Sequence, residues 1–348
     1  MKNAAVSSLV VILCLLLAAC SVLQPAPTSL RGWADQRKVD IGAAVSIPAL
    51  ESDEPYRDLL AREFNLVVPE NVMKWDATEP QQGVFTFEDG DKLVAFAEQH
   101  KMRVRGHTLV WHQALPDWVS KGEWTKETLS EALRQHVSGV AAHYKGKVYA
   151  WDVVNEAIGD SGGLRGSVWT NVIGPEYIEI AFRAAREADP DALLFYNDYG
   201  AEMISPKADA VYDLVKDLKE RGVPIDGVGM QMHTTLDDYV DQTSLQLNIK
   251  RIAELGLIVH ITEMDVRIPD GSTPEQVEAQ TKMYGDVLRG CLAEPACQAV
   301  LVWGVSDQYS WIPQQYPGMG AGLLFDAAYQ PKPAYQEWIK VLGEKSDD

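Results

Sequence analysis

Positive charge is scarce in this chain. Thirty-one Lys and Arg stand against 50 Asp and Glu, a formal net charge of −19 over 348 residues. Such a surface repels phosphate backbones and anionic headgroups, which excludes nucleic-acid binding and polybasic membrane docking and leaves a neutral ligand as the best fit. Cysteine is scarce as well, four in all. Long apolar runs are absent except near the N-terminus, where Leu9 to Ala19 is too short to span a bilayer. No break in composition divides the rest, so it reads as one domain. What is present is a 46% apolar content, enough for a large core. Ten tryptophans accompany it, and the flat apolar face of that side chain stacks on sugar rings as readily as it packs in cores.

Residues 1–20 read MKNAAVSSLVVILCLLLAAC. One Lys, an apolar stretch and then small residues form the pattern of a signal peptide, residues 1–19. Its ending, Leu17-Ala18-Ala19-Cys20, resembles a bacterial lipobox, in which Cys20 is acylated and becomes the mature N-terminus. The expected location is the bacterial cell envelope, lipid-anchored at the outer membrane, with acyl chains as the only membrane contact. SVLQPAPTSLRG follows and reads as a tether through residue 34. The domain is then expected over 35–343, with a short tail at 344–348. With Cys14 removed and Cys20 lipidated, Cys291 and Cys297 remain. In an oxidising compartment a disulfide is the expectation, contributing roughly 2–2.5 kcal/mol for so short a loop; the alternative is two free thiols. That pair offers too few ligands for a zinc site.

From Val39 onward, eight short apolar runs alternate with longer amphipathic stretches. The runs occupy 39–47, 65–71, 103–111, 148–156, 193–200, 227–233, 257–266 and 299–307. KETLSEALRQHVSGVAAHY (126–144) and PEQVEAQTKMYGDVLRGCL (274–292) carry helical periodicity between them. Eight strands joined by crossover helices predict an α/β fold, a (β/α)8 barrel. Polar residues gather where the runs end: Glu70-Asn71, His107, Trp111-His112, Asn155-Glu156, Asn197-Asp198, Gln231, His233, Glu263 and Asp307. In such a barrel those ends share one face, where active sites lie.

Two runs close on a glutamate after an almost wholly apolar strand, WDVVNE at Glu156 and VHITE at Glu263. Each alone could pair with a buried cation. Together, on the fourth and seventh strands, they form the carboxylate pair that glycosidic cleavage needs, one to protonate the leaving oxygen and one to meet the developing oxocarbenium ion. Their surroundings differ. Asn155 brings no charge to Glu156, so desolvation favours its acid form, whereas His233 and Asp265 can hold Glu263 ionised. Period two places Asp152 on the side of Glu156, as support for that acid.

ENVMKW (70–75), GHTLVWH (106–112), WDVVNEA (151–157), YNDY (196–199), QMH (231–233), HITEMDV (260–266), VWGVSDQYSW (302–311) and LLFD (323–326) occur in that order. This set resembles the motifs of glycoside hydrolase family 10, retaining endo-β-1,4-xylanases on a (β/α)8 barrel, from about residue 39 to PKPAYQ at 331–336. The resemblance implies Glu156 as general acid/base and Glu263 as nucleophile. It implies His233 on the nucleophile with Asp265 behind it, and Asn155 on the sugar 2-hydroxyl. Glu70, Asn71, Lys74, His107 and Gln231 would bind hydroxyls on the non-reducing side of the cut, and Trp111, Trp303 and Trp311 would wall the cleavage subsite. Trp75, Trp118, Trp151, Trp169 and Trp338 are left for packing, and Asp198 and Asp307 for structural hydrogen bonds. The partner implied is xylan or its oligosaccharides, with no cofactor and no metal in the chemistry. Gly200, where family members often have Asn, and the Gly/Pro-rich IPQQYPGMGAG (312–322) depart from the pattern on the leaving-group side.

Three other readings stand beside this one. A β-1,4-glucanase on the same barrel differs only in how tightly the tryptophan wall excludes a 6-hydroxymethyl group. A non-catalytic surface glycan-binding lipoprotein would keep aromatic platforms but has no use for two strand-end glutamates with a His-Asp support. A metal hydrolase built on His107 and His112 fails on geometry, since five positions across a strand end send the rings apart.

Overall fold

The computed structural model describes residues 26–344; Cys20 and the signal segment lie outside them. All eight apolar runs form strands. They are β1 (Asp40–Val45), β2 (Leu66–Pro69), β3 (Arg103–Val110) and β4 (Ala150–Asn155). The second half adds β5 (Leu193–Asp198), β6 (Gly227–Met230), β7 (Ile258–Pro269) and β8 (Cys297–Val302). Each pairs in parallel with its neighbours in chain order, and β8 pairs with both β7 and β1, closing a (β/α)8 barrel. The strands read as unbroken apolar runs because both faces are covered, the inner by facing strands and the outer by helices.

The helices start where the sequence signals it. Lys126–His143 opens on a capping box in which the Thr125 hydroxyl accepts from the Thr128 N–H and Thr128 accepts from the Thr125 N–H, at 3.2 and 3.0 Å. Pro274–Leu292 opens the same way on Thr273 and Gln276, with Pro274 in the first turn. Each turns a helical stripe onto the barrel: Leu129, Leu133, Val137 and Val140 in the first are all fully buried. Cys291 and Cys297 form a disulfide with Cα atoms 5.1 Å apart. It ties the end of one helix to the first residue of β8.

One boundary differs from the sequence-based expectation. Residues 30–34, assigned there to a tether, belong to a folded helix, Leu30–Arg37. Ser29 caps it, its hydroxyl accepting from the Gly32 N–H at 3.2 Å. Leu30 and Ala34, one turn apart, are fully buried. The Leu30 N–H donates to the buried Glu63 carboxylate at 3.0 Å, which also accepts from the Tyr335 hydroxyl at 3.1 Å. Proline and small polar residues upstream hide a short helix whose apolar face is only two residues wide. Leu30→Ala should cost about 2–5 kcal/mol and lower the Tm by several degrees in a thermal melt. An unchanged Tm would put the domain boundary back at residue 35.

Candidate active site

The C-terminal strand ends surround a cleft of about 880 Å³. Lys74, His107, Trp111, Asn155, Glu156, Gln231, His233, Glu263, Trp303 and Trp311 all line it. Asp265 sits one layer behind. Glu70 and Asn71 line a second depression of about 330 Å³ with Ser46 and Tyr309, so the expected sugar-binding set is divided between two parts of the face.

Glu263, at 4% exposure, ends the apolar part of β7. Its Oε1 accepts from Asn197 Nδ2 at 2.7 Å and its Oε2 lies 3.1 Å from His233 Nε2. His233 Nδ1 contacts Asp265 Oδ2 at 2.8 Å, and the Trp311 indole N–H donates to that same oxygen at 2.8 Å. Burial pushes the Glu263 carboxyl up. The His233 hydrogen bond, the positive potential of His107 and His233 and the Asn197 donor outweigh it and bring the group down to about 2. For His233 the order reverses: burial pulls the imidazole down, while Asp265 and then Glu263 raise it to about 10. The triad is therefore an imidazolium held between two carboxylates.

Asn197 received no role from the sequence. Its orientation is fixed by Thr262 Oγ1, which donates to Asn197 Oδ1 at 2.7 Å. Gly229 on β6 leaves the room, since a Cβ there would stand 2.1 Å from Asn197 Oδ1. The available signal was positional: Asn197, next to last in β5, is the register partner of Asn155 at the end of β4.

Glu156 faces the cleft from β4 with different neighbours. Its Oε1 accepts from Gln231 Nε2 at 3.0 Å and from Asn155 Nδ2 at 3.4 Å. Gln231 turns its amide nitrogen to Glu156 and Asn197 turns its own to Glu263, so both present N–H to the Asn155 oxygen, at 3.1 and 2.9 Å. That settles the Asn155 amide with Nδ2 toward Glu156, even though this brings Nδ2 to 3.2 Å from the Trp111 indole nitrogen, because the two carboxylates demand the donors more strongly than the indole demands an acceptor. The chain turns sharply here, with Glu156 at φ +57°, a left-handed conformation uncommon for a non-glycine residue and typical of functional sites. Arg165 holds the turn: its Nε donates to the Glu156 carbonyl at 3.0 Å and its Nη2 to the Tyr199 hydroxyl at 2.8 Å.

Asp152 corrects the period-two expectation. The register of β4 against β5 shifts between Asp152 and Val154, which breaks the alternation leading to Glu156. Asp152 instead takes both Arg105 and His107, the latter through Nδ1 at 3.0 Å. It supports His107, not the acid. His107 and His112 diverge: His112 Nδ1 stands 3.9 Å from Glu156 Oε2. Burial lowers the His112 pKa, and the fields of Arg165 and Lys207 add to this against Glu156.

Trp111, Trp303 and Trp311 all line the cleft. Trp303 meets His107 edge-on with centroids 5.2 Å apart, and Trp311 lies 4.9 Å from His233. Lys74 Nζ donates to Asn71 Oδ1 at 2.9 Å and stands 5.1 Å from the centre of the Trp111 ring. Trp75, Trp151, Trp169 and Trp338 are buried packing residues. Asp198 is fully buried and pairs with Lys207 at 3.0 Å. Asp307 accepts from the Leu323 N–H at 2.9 Å and from Lys332 at 2.8 Å. Both serve structure.

The model of glycosyl hydrolase family 10 matches residues 29–341. The chain belongs to glycosyl hydrolase family 10. Its start in that match agrees with the helix capped by Ser29. An endo-1,4-beta-xylanase B of Thermotoga neapolitana is 44% identical over 339 residues, 96% of this chain and 97% of that protein. Xylanase 10B of Thermotoga petrophila, solved in complex with xylobiose, superposes with a TM-score of 0.88 at 47% identity, covering 91% of this chain and 97% of that one. An endo-1,4-beta-xylanase of Penicillium canescens gives 0.89 at 34%, over 92% and 99%.

The family-10 triad has a pH signature. Glu263 falls from an ordinary 4.5 to about 2, so its contribution to stability is present above pH 4.5 and lost as pH falls through 2. His233 rises from 6.5 to about 10, so its contribution is full below pH 6.5 and lost as pH rises through 10. The Tm difference between the protein and its His233→Gln variant should therefore peak between pH 4.5 and 6.5 and shrink on either side. A difference that does not vary with pH would reduce His233 to a packing residue.

Proposed function

We propose that this chain is an endo-1,4-β-xylanase that hydrolyses internal β-1,4 bonds of xylan with retention of anomeric configuration. The observation that carries the reading is the contrast between two strand-end glutamates in one tryptophan-walled cleft. Glu263 is held ionised by an imidazolium and an amide, while Glu156 takes hydrogen bonds only from amides, with His112 Nδ1 3.9 Å away. The 1,4-β-xylanases among its relatives, one of them bound to xylobiose, supply the substrate class.

In the first step Glu263 attacks the anomeric carbon as Glu156 gives its proton to the departing glycosidic oxygen, leaving a covalent glycosyl-enzyme. Glu156, now a carboxylate, takes a proton from water. That water attacks the same carbon and frees Glu263, and two inversions restore the starting configuration. Asn155 holds the 2-hydroxyl, with a bond that strengthens as the ring flattens. Glu70, Asn71, Lys74, His107 and Gln231 bind hydroxyls on the non-reducing side, and Trp111, Trp303 and Trp311 enclose the reacting sugar. No cofactor takes part.

We also propose attachment to the bacterial envelope through a lipidated Cys20, supported by the LAAC sequence that ends on it. Cys20→Ala should move the protein from the membrane fraction to the soluble fraction on ultracentrifugation; the same distribution in both would exclude the anchor.

The catalytic roles are tested by two variants assayed for reducing-sugar release and on aryl xylobiosides. Glu263→Ala should lower kcat on every substrate by about 10⁴-fold or more. Glu156→Ala should lose about 10²–10⁴-fold on xylan, keep the first step on a nitrophenyl leaving group, and gain rate with added azide. Equal losses on good and poor leaving groups would sink the assignment of Glu156. Faster turnover of carboxymethylcellulose than of xylan would replace the substrate by a glucan.

A further inference from the structure

We propose that Arg267 forms an anion subsite on the leaving-group arm of the cleft, which takes the carboxylate of a uronic acid branch on the xylan chain. The proposal rests on the xylanase reading and deepens it.

Glu263 and Arg267 both line the cleft, and Arg267 follows the nucleophile by four residues along β7. Beyond the nucleophile, β7 continues past its barrel pairing. Thr235, in the segment after β6, pairs with Arg267, and Met319–Gly320 pairs antiparallel with Ile268 and Pro269. Arg267 thus stands at the rim beside the β6 loop, away from Glu70 and Lys74 on the β2 side, which bind the non-reducing end in the reading above.

Three Lys and Arg side chains line the cleft. Lys74 is engaged by Asn71 at 2.9 Å. Arg165 is engaged by the Glu156 and Ile158 carbonyls and the Tyr199 hydroxyl. Arg267, half-buried, makes no side-chain hydrogen bond or ion pair among the described residues. Its guanidinium lies 4.1 Å from the centroid of the Tyr316 ring. Tyr316 in turn packs edge-on against Trp311, which is hydrogen-bonded to Asp265. The nearest carboxylate on its own strand, Asp265, is already held by His233 and Trp311, and an Asp238 oxygen is 3.3 Å from the Thr235 hydroxyl.

An aromatic face under a guanidinium fixes its plane and leaves the edge N–H groups free, a fork that matches a carboxylate in two parallel bonds. The protein as a whole repels anions at −19, so an acidic branch needs a local cation to dock. A neutral xylan backbone gives Arg267 nothing to pair with; a uronate on that backbone does. The Gly/Pro-rich segment 312–322 gains a purpose in the same stroke, since it carries Tyr316 and the strand that returns to β7.

The test compares kcat/KM on glucuronic-acid-branched xylan with kcat/KM on the same polymer after its carboxyl groups are reduced to alcohols. The ratio of charged to reduced substrate should be about 5–10-fold higher for the protein than for Arg267→Gln. Arg267→Lys, which keeps the charge without the fork, should fall between. Taking both substrates on each variant cancels any loss of folded enzyme. Equal ratios in the protein and Arg267→Gln, with both polymers cleaved, would overturn the subsite alone. A folded protein that cleaves neither polymer would overturn the xylanase reading and the subsite with it.

Discussion

Holding an ionised carboxylate at the bottom of a cleft, almost out of reach of water, is the demand that organises this protein. A buried charge is costly unless paired and hydrogen-bonded. Glu263 meets that demand through two donors from different strands, His233 and Asn197. Each donor has its own support. Asp265 and Trp311 steady His233, and Thr262 steadies Asn197 in space that Gly229 leaves open. Removing any of these leaves Glu263 in place but loosens the field that keeps it negative.

The second acid is tied to the first mechanically. Gln231, Asn155 and Asn197 form a run of amides from Glu156 to Glu263, each bond between 2.7 and 3.1 Å. Amides carry no net charge, so the run orients the two carboxylates without placing a cation between them. The sharp turn at Glu156, clasped by Arg165, sets the acid against the amide side of this relay. A closed barrel makes such a construction possible because strands β4, β5, β6 and β7 lie side by side at fixed register.

Much of this was legible in the sequence, for a physical reason. Strands covered on both faces must be apolar throughout, so polar residues at their C-terminal ends stand out, and Glu156, Glu263, His233 and Gln231 were visible on that ground. Asp152 was misread because alternation holds only while register holds, and the shift beside Val154 redirects its side chain to Arg105 and His107. Asn197 was seen but given no task, since its importance arises from a partner 66 residues away. The helix Leu30–Arg37 was hidden by its shortness; two buried side chains make too faint a stripe to outweigh the proline and small polar residues ahead of it.

That helix also shows where the described chain begins relative to the cleft. Arg31 reaches the carbonyl of His100 just ahead of β3, and Arg37 stops two residues short of β1, so the helix lies across the pole where strands begin. The other end of the described chain arrives there too, with the Arg37 guanidinium donating to the Glu344 carbonyl at 2.6 Å. The first helix and the last described residue share the pole opposite the cleft. A domain attached to a bead or a carrier protein through the surface of this helix would hold its cleft outward, open to a polymer too large to reach behind it.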